Sequence, residues 1–175
     1  MELEDTRYTE DGKCIPESEV ICEFIEDSYP EKSGLPADAF GRAQSRTISR
    51  IVDIYLAPIS GILARQVNPE KRDAAIVAEN AEALTKVWAN LEHFLGDGPF
   101  AVGDEPTLGD CALGPHMAMF KVLVFDNFPE ISDPTTQGGR LQEWWEAMQA
   151  NDICRPLLDD YSVAFEKMMS YFLGK

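Results

Sequence analysis

Phe100-Ala101-Val102-Gly103-Asp104-Glu105-Pro106-Thr107-Leu108-Gly109-Asp110-Cys111-Ala112-Leu113 is the stretch on which the fold turns. Thr107 can accept from the backbone N–H three residues on, and the Asp110 carboxylate can reach back to the N–H of Thr107. This is a capping box with Asp in the usual Glu place. Alone it says only that a helix begins. The residues after it say more, because after Asp110 and as far as Phe125 the strongly polar residues are His116 and Lys121. A helix that is apolar nearly all round is buried, so Thr107 to Phe125 is predicted to be the central helix of a bundle.

Outward from it, the other helices carry a single apolar stripe each. Asp38 to Val67 keeps Ile48, Ile51, Val52, Tyr55, Leu56, Ile59, Ile62 and Leu63 at spacings of three and four. Pro58 lies inside this run and predicts a kink. Glu70 to Leu95 presents Val77, Ala81, Leu84, Trp88, Leu91 and Leu95. Leu141, Trp144, Trp145 and Met148 mark a short helix, and Asp152 to Phe172 the last one. Toward the N-terminus, Asp11-Gly12 is a turn signal. Lys13-Cys14-Ile15 reads as a strand with Met1 to Glu4 as its partner, and Glu17 to Ser28 as a helix ended by Tyr29-Pro30.

Composition limits the partners. The 175 residues hold 31 acidic and 15 basic side chains, a formal net charge of −16. Phosphate binding needs clustered Lys and Arg, so nucleic acid is not expected, nor is an anionic membrane surface. The acidity concentrates at the start, with eleven acidic residues against Arg7 and Lys13 between Met1 and Glu31. That segment is read as a solvated, solubilising face. Cys14, Cys22, Cys111 and Cys154 form no C-x-x-C pair and have only His93 and His116 to join them, so no metal site is expected. Cys22 and Cys111 read as small core residues. The Met-Glu-Leu-Glu-Asp start has no basic or apolar run of a signal peptide. The apolar stretch from Leu113 to Phe125 reads as too short for a bilayer. The expectation is a reducing, cytoplasmic protein.

Pro16-Glu17-Ser18 opens a helix, and a helix N-terminus offers unpaired N–H groups and the positive end of a dipole. A Ser18 hydroxyl could donate to a carboxylate and Glu17 could accept from an ammonium group, so the pair could clamp an amino-acid zwitterion. The plainer alternative is a well-started helix.

Gly98-Pro99-Phe100-Ala101-Val102-Gly103 through Thr107-Leu108-Gly109-Asp110-Cys111-Ala112-Leu113 resembles the signature of the helical C-terminal domain of cytosolic glutathione transferases. Asp11-Gly12-Lys13-Cys14-Ile15-Pro16-Glu17-Ser18-Glu19-Val20-Ile21 resembles the last strand and third helix of their thioredoxin-like domain. The two occur in the family's order, and the likeness covers essentially the whole chain. It implies an all-α fold: a transferase-type helical bundle at residues 38–175, a linker at 31–37, and a hairpin-and-helix remnant of the glutathione-binding domain at 1–30.

The resemblance also implies chemistry. Glu17 and Ser18, with Ile15, would hold the γ-glutamyl end of glutathione, the co-substrate, and Asp53 would reach glutathione across a homodimer. Tyr55, Ile59, His116, Phe120 and Tyr171 are candidates for the pocket of a small hydrophobic electrophile, with core packing as the competing reading. The capping box of Thr107 and Asp110 would serve folding. Conjugation of glutathione, or a related glutathione-dependent isomerisation, is the activity implied. The family's Ser, Tyr or Cys that activates the glutathione sulfur, and its cis-proline, would precede Met1. The chain alone is therefore expected to be inactive, whether it is a fragment, the product of a mis-assigned start or a natural truncation. A non-catalytic interaction domain of the same fold is the alternative. A helix and strand pair without the rest of the sheet also predict an exposed apolar patch near Ile15, Val20 and Phe24.

Overall fold

The computed structural model describes residues 6–173. β1 (Thr6–Tyr8) and β2 (Cys14–Pro16) form an antiparallel pair in which Arg7 faces Ile15. The turn closes as expected at Asp11-Gly12, where Gly12 takes φ +81° and its N–H donates to the Thr9 carbonyl at 2.9 Å. The expected partner strand, Met1 to Glu4, lies outside the described residues, and the observed partner is the next segment along.

The helices follow as α1 (Ser18–Ser28), α2 (Ala39–Ile51), α3 (Ala57–Ala64), α4 (Ala74–Phe94), α5 (Leu108–Phe120), α6 (Arg140–Ala150) and α7 (Cys154–Phe172). α2 and α3 make one long helix joined by a π turn, Val52–Leu56. The disturbance expected at Pro58 falls here, one turn upstream. The proline ring would clash with the carbonyl four residues back, at Ile54. The wider turn moves that carbonyl aside, and the Ala57 N–H bonds to Val52 O, five residues back. α4 starts later than the expected Glu70, because Asp73 caps it by accepting from the N–H groups of Ala75 and Ile76. The central helix, α5, runs on through a second π segment, Lys121–Phe125, and accommodates Pro115 in its interior.

Among the described residues, two helical stretches are long and apolar enough to cross a membrane, Ala39–Ala64 and Leu108–Phe125. The stretch from Leu113 to Phe125 lies within the second, which begins five residues earlier. About half of each stretch is buried inside the bundle: 50% of the first and 56% of the second.

The core lies around α5. Asp110 is buried and accepts four hydrogen bonds. Its Oδ2 takes the Thr107 N–H at 2.7 Å and the Thr107 hydroxyl at 2.9 Å, completing the capping box, while Oδ1 takes the Ala101 N–H and Trp144 Nε1 at 2.8 Å each. One carboxylate thus fixes the start of α5, the loop before it and α6. The Ser45 hydroxyl accepts from Gly109 N–H at 3.0 Å and donates to Thr107 Oγ1, tying α2 to the same point. Gly109 suits this close approach, because a Cβ would stand 3.1 Å from the Ser45 carbonyl oxygen and 3.2 Å from Ile48 Cβ, tighter than ordinary contact. Glu92 caps α6 by accepting from the N–H groups of Arg140 and Leu141.

Candidate functional site at the start of α1

β2 and α1 meet at Pro16-Glu17-Ser18. Glu17 sits there with φ +68° and ψ +122°, the one non-glycine residue with positive φ among the described residues. A left-handed backbone costs an L-residue of order 1–3 kcal/mol and gathers at binding sites, where geometry matters more than comfort. The Glu17 carboxylate does not cap the helix. Both Glu17 and Ser18 are exposed, and neither side chain makes a hydrogen bond among the described residues. Strain, a helix N-terminus and two free polar side chains therefore coincide at one corner, with Ile15 half-buried beside it.

α1 is not the solvated acidic face that the composition suggested. Glu19, Cys22, Glu23 and Glu26 turn inward and are half-buried, while Val20, Phe24 and Ile25 face out. Glu23 forms a two-point ion pair with Arg46 of α2, both contacts at 2.7 Å, and this pairing holds its carboxyl below the usual range. Glu26 accepts from the Ser33 hydroxyl and the Gly34 N–H, fixing the linker. Burial pushes the Glu19 carboxyl up, with repulsion from Asp53 and Glu23 adding to it. Among the described residues the fully buried Ser49 hydroxyl makes no hydrogen bond of normal length, yet it still favours the charged form of Glu19. The sequence signal for this docking was the spacing of Glu19, Glu23 and Glu26 opposite the Val20 and Phe24 stripe. The apolar patch expected there is present, with Val20 52% and Phe24 44% exposed and Ile15 half-buried.

The remaining candidates are dispersed. Asp53 lies on the π turn, paired with Arg50 at 2.9 Å and within electrostatic reach of Glu19 and His116. His116 is half-buried, and its Nδ1 lies 3.0 Å from the Ala112 carbonyl. A carbonyl only accepts, so Nδ1 carries the proton and Nε2 keeps the lone pair. Burial lowers the His116 pKa and favours this neutral form. Tyr55 and Ile59 line a cleft between the long helix and α4. Phe120 is fully buried against Trp88, 5.3 Å between ring centroids, so it is core and cannot wall an open pocket. The Tyr171 side chain lies outside the described residues. The two cysteines read as core are not core: Cys22 is half-buried and Cys111 exposed, and it is Cys154 that is buried. The structure contains no group of three His, Cys, Asp or Glu able to hold a metal among the described residues.

Residues 74–147 match the family described as "Glutathione S-transferase, C-terminal domain". The chain belongs to the glutathione S-transferase family. It is 31% identical over 113 residues to a probable maleylacetoacetate isomerase of Caenorhabditis elegans, covering 62% of this chain and 51% of the relative. It is 32% identical over 125 residues to the maleylpyruvate isomerase of Ralstonia sp, covering 67% of this chain and 59% of the relative. The chain thus spans little more than half the length of these curated relatives. Among solved structures, the maleylacetoacetate isomerase of Anaeromyxobacter dehalogenans with glutathione in its active site superposes with a TM-score of 0.61 at 28% identity, over 82% of this chain and 65% of the other. Within the family match lie α4, α5 and most of α6, with Thr107, Asp110 and Trp144.

Proposed function

We propose that the β2–α1 corner holds the γ-glutamyl end of glutathione, with Ser18 donating to its carboxylate and Glu17 accepting from its ammonium group. The observation that carries this reading is the left-handed backbone of Glu17, which stands at a helix start with both polar side chains uncommitted. The protein's activity on this reading is a glutathione-dependent isomerisation, or a conjugation, of a small electrophile. The relatives' names, maleylacetoacetate and maleylpyruvate isomerase, support unsaturated acids as the substrate class. Asp53 completes the site from a second copy in a cytoplasmic homodimer, and Tyr55, Ile59 and His116 lie toward the electrophile. Activation of the glutathione sulfur needs a donor that lowers the thiol pKa. None of the residues assigned here supplies one, so these residues bind and orient rather than activate.

Calorimetric titration of the chain with glutathione tests this. Binding in the millimolar range or tighter is expected, lost in Ser18→Ala and weakened in Glu17→Gln. Absence of heat would remove the reading and leave the second one, an interaction domain of the same fold. That second reading is favoured by one observation, the outward apolar face of α1 formed by Val20, Phe24 and Ile25.

A further inference from the structure

Two cysteines that the glutathione reading does not use face one groove. α5 and α7 pack closely at Gly114, where a Cβ would stand 3.0 Å from Met148 Cε and 3.4 Å from Leu158 Cδ2. Cys111 is one turn before Gly114 on α5, and Cys154 is one turn before Leu158 on α7. Residues three or four apart share a helix face, so Cys111 lies on the face of α5 that carries Gly114, and Cys154 on the face of α7 that carries Leu158. Both line a groove of about 230 Å³ with Met148, Pro115, Leu157 and Tyr161. Cys154 is buried, Cys111 is exposed, and each lies within electrostatic reach of Asp110.

The donor set is soft. Asp110 also lines the groove, but its two oxygens already accept four hydrogen bonds and are closed to a cation. That leaves two thiols and the Met148 thioether in apolar surroundings. Oxygen-seeking cations find no free ligand among these, and zinc requires more than two strong donors. Thiolate and thioether sulfur select soft ions such as copper(I).

We propose that this groove is a binding site for a soft, two-coordinate d10 cation such as copper(I), bridging Cys111 and Cys154 with Met148 as a weaker third donor. On binding, each thiol releases its proton to solvent and two S–Cu bonds form, with no change of oxidation state. The ion links α5 to α7, and the strongly negative chain favours its approach.

The test is anaerobic titration of the full chain with copper(I) supplied as its acetonitrile complex, followed by the ultraviolet sulfur-to-copper band and by competition with bicinchoninate. One equivalent is expected to bind. Cys111→Ser and Cys154→Ala should each weaken it by more than about a hundredfold, since even outer-shell partners of a metal are worth ten- to a hundredfold. Cys14→Ser should leave it unchanged. Bound copper should also raise the melting temperature of the unmodified chain and not that of Cys111→Ser. Because Cys154 is buried and its variant can lose stability, maleimide labelling of the unmodified chain gives a second measure. Copper should shield the exposed Cys111 while Cys14 is alkylated. The proposal is overturned if no copper binds, if binding survives Cys111→Ser, or if Cys111 is alkylated as fast with copper as without it.

Discussion

The start of α5 and the start of α1 are both helix N-termini, and they are built in opposite ways. At α5 the polar groups are turned on one another: Asp110 is buried and satisfies donors from Thr107, Ala101 and Trp144. At α1 the backbone is strained at Glu17 and the side chains of Glu17 and Ser18 are left open to solvent. The inversion extends along each helix. α5 is wrapped by the bundle, whereas α1 turns its carboxylates toward the protein and its apolar side chains away from it. A helix start that exists for folding satisfies its own hydrogen bonds. The one proposed to hold glutathione keeps them unspent.

The largest expected effect breaks the α5 side of this contrast. Asp110→Ala strands the N–H groups of Ala101, Thr107 and Trp144 in the core, at about 1–3 kcal/mol for each orphan, and should cost about 4 kcal/mol in urea denaturation. Trp144→Phe removes a single donor and should cost about 2 kcal/mol by the same measurement. A loss below about 1 kcal/mol for Asp110→Ala would show that the hub does not hold the helices together.

The α1 side should respond locally. Arg46→Ala removes the ion pair to Glu23, a partly exposed contact, so the global loss should stay under about 1 kcal/mol. Amide exchange in α1 should nevertheless quicken while α5 stays protected. The pH dependence has the same origin. The Glu23 carboxyl is held below its ordinary value of 4.5, so its contribution is complete above that value and is lost as pH falls through the lowered one. Exchange in α1 should therefore rise below about pH 4.5 in the unmodified chain and change little in Arg46→Ala. Glu19 carries the opposite sign. Burial raises its carboxyl, so ionisation opposes folding as pH rises past 4.5. Glu19→Gln should raise the melting temperature slightly at pH 7 and have no effect in acid. The smallest change in stability, within about 0.5 kcal/mol, is expected for Phe24→Ser, because that side chain is exposed. Its readout is weaker self-association in sedimentation velocity.

Much of the bundle was legible in the order of residues. The stripes of α2, α3, α4 and α6 and the apolar run of α5 are periodic signals that burial of one face imposes, and the capping box marked where α5 begins. At α7 the spacing points Ile153, Leu157 and Tyr161 inward, yet all three are exposed. The prolines were harder to read. Pro58 announced a disturbance, but sterics displaced it upstream into the Val52–Leu56 π turn. Of the site, Glu17 and Ser18 were legible as types suited to a zwitterion. Phe120 was misplaced because helical spacing cannot distinguish a pocket wall from a core ring. The acidic face of α1 was misread because composition treats carboxylates as solvated, whereas Arg46, twenty-three residues on, draws Glu23 inward.

The sequence by itself determined which segments are helices and that α5 lies at the centre, since those follow from local hydrogen bonding and the period of apolar residues. Only the tertiary structure decided how one carboxylate serves three segments, that Glu17 is held in a left-handed conformation, and that Cys111 and Cys154 share a groove. The first and the last depend on the approach of residues far apart in the chain, and no local pattern encodes that distance.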